Sequence, residues 1–113
     1  MKIKLLSIAA ALVLIMPQAA SADAASDFYN GKTVKVLIGG SMGGAYGLYA
    51  QLLSRHVNRH LAGTPTVVVQ SMPGSGGNKA MNYTTNAGAQ DGSLISIVQI
   101  SVAMESLFNS KIR

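Results

Sequence analysis

Three short runs rich in β-branched residues constrain this chain more than any other feature: TVKVLI at 33–38, TVVVQ at 66–70 and SLISIVQISV at 93–102. Each is nearly continuous in apolar character instead of alternating. That is the pattern of strands buried on both faces, as in parallel sheets. Between them the period changes. Tyr49, Leu52, Leu53, Val57 and Leu61 recur at three- and four-residue spacings, which predicts an amphipathic helix from Tyr46 with that stripe turned to the core. Gln51, Ser54, Arg55, Asn58 and Arg59 fall on its other face. A second helix is predicted from about Lys79 to Asn86, and a third opens over Ala103–Phe108. The expected order is β-α-β-α-β with a further helix, an α/β fold on a parallel sheet with right-handed crossovers.

The punctuation agrees. Gly63 suits a helix stop, and Pro65 sits at the first position of a strand, where proline is tolerated. Asp91-Gly92 makes a tight connection, and residues 23–31 read as a polar, small-residue lead-in. Sheets usually have about five strands, so three imply the first part of a larger α/β protein.

The first 22 residues read as a leader. Lys2 and Lys4 form a basic start, and Leu5 to Met16 is an apolar run too short to span a bilayer core. Ala20-Ser21-Ala22 supplies the small residues of a cleavage site. Together they predict a secretory signal peptide cleaved near Ala22 and an exported product. Removing residues 1–22 from the 113-residue chain leaves 91 residues. The nine basic residues fall to seven against four acids, a net charge of +3. That mild excess suits an anionic ligand and is too scattered to argue for nucleic acid. With no cysteine, disulfides and thiolate chemistry are absent.

Two glycine-rich turns follow the first two strands, GGSMGG at 39–44 and SMPGSGGN at 71–78. The first spells G-x-S-x-G, the nucleophile elbow of serine hydrolases, which would make Ser41 a nucleophile. That order needs a later acid and histidine, yet the two histidines, His56 and His60, lie in the very next helix. The oxyanion hole also needs an earlier strand, and only the leader precedes this one. No lysine follows Gly43 or Gly44, so a P-loop is not formed, and the glycines miss the dinucleotide spacing. His56 and His60 are four residues apart, but Val57 stands where H-E-x-x-H has glutamate and arginines flank both. Neither a metal nor a cofactor is expected. Anion binding remains, because glycine turns at helix N-termini present free N–H groups to a ligand at the carboxyl rim of a sheet.

The run from Phe28 to about Val98, with PTVVVQSMPGSGG and DGSLISIV at its distance, resembles the substrate-binding proteins of tripartite tricarboxylate transporters, the Bug receptors. The resemblance implies a periplasmic receptor of two α/β lobes, a type II periplasmic binding protein-like fold that closes about a hinge. It implies no catalysis and a monomer that delivers a small di- or tricarboxylate or related organic acid to membrane transporter subunits. On this reading residues 23–113 are the N-terminal part of the first lobe, truncated before the second. Carried over, Ser41, Met42, Gly43, Gly44, Ala45 and Tyr46 form the first ligand loop, and Ser75, Gly76, Gly77 and Asn78 the second. Gln99 and Ser101, at the end of the third strand, neighbour them. Two residues depart from the family pattern: Gly47 stands where aspartate is common as helix cap and loop organiser, and Gln51 where arginine is common. The alternatives are a secreted serine hydrolase fragment using Ser41 and a small exported structural protein without a ligand.

Overall fold

The computed structural model describes residues 20–108. The expected leader lies outside the described residues as far as residue 19. In chain order the elements are α1 (Ala20–Tyr29), β1 (Thr33–Ile38), α2 (Ala45–Val57), β2 (Thr66–Ser71), a 3₁₀ turn (Ser75–Gly77), α3 (Asn78–Asn86), β3 (Leu94–Ile97) and α4 (Ile100–Phe108). The protein is α/β with a three-stranded parallel sheet in the order β2-β1-β3. β1 pairs with β2 from Thr33↔Thr66 to Ile38↔Ser71 and with β3 from Lys35↔Leu94 to Ile38↔Ile97. Among the described residues no helix is long and apolar enough to cross a membrane.

β1 is the centre of the core. Val34, Val36, Leu37 and Ile38 are completely buried. Side chains alternate along a strand, so Val34, Val36 and Ile38 share one face and Leu37 lies on the other. Val36 and Ile38 cluster with Ala50 of α2, with Val67, Val69 and Ile97 packed against them. The chain reaches β2 on one side of β1 and returns past β1 to place β3 on the other. Right-handed crossovers in opposite directions set α2 and α3 on opposite faces of the sheet.

Three expectations are corrected. Residues 23–31, read as a lead-in, are helical as far as Tyr29. The helix is tied beneath the sheet, with the Tyr29 hydroxyl donating to the Gly92 carbonyl at 3.2 Å and the Lys32 ammonium 3.5 Å above the Phe28 ring. β3 stops at Ile97 and α4 starts at Ile100, so Gln99 lies in the joint and Ser101 in the helix. The third correction is rotational. α2 buries Gly47 and Ala50, the latter against the sheet, and leaves Leu48 62%, Tyr49 67% and Leu52 58% exposed. The small Ala50 lets the helix approach the β-branched surface of β1 and β2 closely, and among the described residues the outer side of α2 stays exposed. α2 also ends at Val57, before Leu61.

At the foot of β3 the Ser93 hydroxyl and amide donate to Asp91 Oδ1 at 2.6 and 3.0 Å. Those bonds, the hydroxyl first, hold the Asp91 carboxyl below its ordinary pKa. A lowered pKa stabilises the fold above the unfolded value and loses that contribution as pH falls through the folded one. Asp91→Asn should therefore lower the urea midpoint at neutral pH and flatten the acid limb of a urea-midpoint-against-pH curve, parent and variant converging in acid. The rotation of α2 is checked by denaturation of two variants. Ile38→Ala, which empties the contact with Ala50 of α2, should cost about 2–5 kcal/mol, whereas Leu52→Ala should stay within about 1 kcal/mol.

Candidate anion-binding rim

The carboxyl ends of the three strands meet along one rim, and Gln99 stands between them. A Cβ on Gly39 would lie 2.7 Å from Gly77 Cα and 3.2 Å from Gln99 Oε1, and one on Gly40 would lie 2.9 Å from Gln99 Nε2. A Cβ on Gly77 would overlap Gln99 Oε1 outright. The two glycine turns thus touch each other, with the Gln99 carboxamide packed into the space their missing side chains leave. Ser71 Oγ donates to the Gly40 carbonyl at 2.7 Å, and the Ile100 amide donates to the Tyr46 hydroxyl at 3.2 Å. Ser101 Oγ donates to the Gly76 carbonyl at 2.7 Å. Every segment named from the sequence as a ligand loop therefore reaches this rim.

The two turns differ in what they leave open. In the second, φ is positive at four successive residues, Gly74, Ser75, Gly76 and Gly77, a region that costs a residue with a Cβ roughly 1–2 kcal/mol. The amides of Gly77 and Asn78 donate within the turn, to the Gly74 and Ser75 carbonyls. The Asn78 side chain donates to the Glu105 carboxylate of α4. An internal carboxylate thus already stands at the start of α3, where an acid favours the helix dipole. Sequence reasoning did not single out Glu105, because nothing local links it to Asn78.

The first turn is open. Gly44 is the N-cap of α2 and makes no side-chain capping bond. Its amide donates to the Ser41 carbonyl at 3.2 Å, while among the described residues the amides of Gly43, Ala45 and Tyr46 have no partner. Ser41, Met42 and Gly43 are exposed, and a Cβ on Gly43 would meet nothing within 4 Å. His56, whose Nδ1 lies 2.9 Å from the Leu52 carbonyl, sits in the last turn of α2. That is roughly 16 Å of helix rise from Ala45, at the opposite end from Ser41. Among the described residues no cluster of three metal-ligating side chains forms.

Gly47 is not the helix cap. It is the third residue of α2, and a Cβ there would lie 2.7 Å from Met42 Cα and overlap the Met42 carbonyl oxygen. An open apolar depression of about 530 Å³, lined by Tyr49, Leu52, Leu53 and His56, lies on the outer side of α2. It lacks the convergent polar groups that orient an acid. Scans against protein-family models, curated proteins and solved structures return no match to the chain.

The contrast between the turns is testable by substitution. Gly77→Ala places a Cβ on Gln99 at a φ of +99° and should cost roughly 1–3 kcal/mol or more in urea denaturation. Gly43→Ala, with open space around it, should change stability by under about 1 kcal/mol.

Proposed function

We propose that this chain is the first-lobe portion of a periplasmic solute receptor of the tripartite tricarboxylate-transporter type, binding a small organic carboxylate without catalysis. The observation that carries the reading is topological. In the order β2-β1-β3 the chain leaves β1 in one direction and returns to β3 in the other. Open α/β sheets bind ligands at such a switch, outside the carboxyl ends of the strands. The first glycine turn stands there with unpaired amides at the N-terminus of a 13-residue helix.

A carboxylate fits that donor set. Two oxygens can accept from the amides of Gly43, Ala45 and Tyr46 while the helix dipole favours the negative charge. Ser41 then serves as a hydroxyl donor to the ligand and not as a nucleophile. The second turn contributes less to this binding, since Glu105 already engages Asn78. Ser75, Gly76 and Gly77 shape the rim with Gln99, and Ser101 fixes the turn from α4. The family resemblance adds a type II periplasmic fold, a second lobe closing over the same rim, export through the leader, and transfer of the solute to membrane subunits.

Thermal denaturation of the chain with succinate, malate, citrate and aromatic acids at millimolar concentration tests the reading. A ligand at ten times its dissociation constant adds about 1.4 kcal/mol, a rise in Tm of roughly 5–10 °C for a domain of this size. At least one acid should produce it. A flat response across the panel contradicts the proposal.

A further inference from the structure

Two residues of α2 converge on one backbone carbonyl of the open turn. Gln51 Nε2 donates to the Met42 carbonyl at 3.1 Å, and Gly47 leaves the space that the same carbonyl occupies. They lie four residues apart, so they share one face of the helix, one turn above the other. Nothing else on the helix reaches the loop in this way among the hydrogen bonds of the described residues.

We propose that Gly47 and Gln51 are positioning residues that aim the Gly43 amide at the ligand, an inference that rests on the carboxylate-binding reading above. The peptide joining Met42 to Gly43 is trans, since the described chain contains no cis bond. In a planar trans peptide the C=O and N–H point in opposite directions. Drawing the Met42 carbonyl inward onto α2 therefore turns the Gly43 N–H outward, away from the helix. That amide has no partner among the described residues, and open space surrounds its glycine. Without the Gln51 bond the peptide can rotate, and the donor then spends part of its time aimed elsewhere. A side chain at Gly47 displaces the whole Met42 peptide and has the same consequence. Specificity follows from the same geometry. The rim offers a fixed array of neutral donors at this end, suited to one planar carboxylate group of an acid.

The test uses the ¹⁵N-labelled full chain, citrate as the probe and Gln51→Met, which keeps the length of the side chain and removes the donor. Gly47→Ala serves as a second variant where it folds. In the parent chain the Gly43 amide should shift saturably with citrate. In Gln51→Met the same resonance should move in the absence of citrate, and citrate affinity should fall by about five-fold or more with Tm changed by under ~2 °C. Equal affinity and an unmoved Gly43 resonance in Gln51→Met overturn the inference while leaving carboxylate binding intact. A parent chain that binds no citrate and none of the other acids removes the underlying reading and the inference with it.

Discussion

The rim depends on one packing constraint: the two glycine turns approach so closely that neither can carry a side chain at the point of contact. Gly39 and Gly77 meet backbone to backbone, and the Gln99 carboxamide closes the remaining space beside Gly40. That contact fixes where β1 ends, where α3 begins and how the joint between β3 and α4 must run. The Ile100–Tyr46 and Ser101–Gly76 hydrogen bonds extend the same joint to the N-terminus of α2 and to the second turn.

Once the contact is made, the two turns divide the work. The second spends its amides on its own carbonyls and its asparagine on Glu105. Among the described residues the first keeps three amides unpaired, and its Met42 carbonyl accepts from Gln51 beside Gly47. Burial supplies the rigidity underneath. Val36 and Ile38 are completely buried against Ala50, and a fully buried aliphatic side chain contributes about 1.5–3 kcal/mol. The helix that carries the open amides is thereby seated directly on the central strand.

The sequence made the strands and their order of appearance legible, because β-branched apolar runs have few alternatives. It also located both glycine turns on one rim, since strands that run parallel all end on the same side. The face of α2 was not legible. The stripe at Tyr49, Leu52 and Leu53 matches the helical period, but period alone cannot tell which face packs when Gly47 and Ala50 offer a flatter one. The start of α4 was hidden because SLISIVQISV is apolar throughout, and the break comes from Gln99 packing on the glycines. Gly47 and Gln51 were visible as departures from a family pattern. Their shared target, the Met42 carbonyl, needs the fold to be seen.

On the proposed function the first turn, and not the second, receives the anion. The direct measurement is a map of amide chemical-shift changes along the chain as citrate is added. The largest changes should fall on Gly43, Ala45 and Tyr46, with Gly77 and Asn78 moving little because their amides are already bonded. Changes centred on residues 75–78, or on the exposed side of α2 around Tyr49 and Leu52, would contradict it.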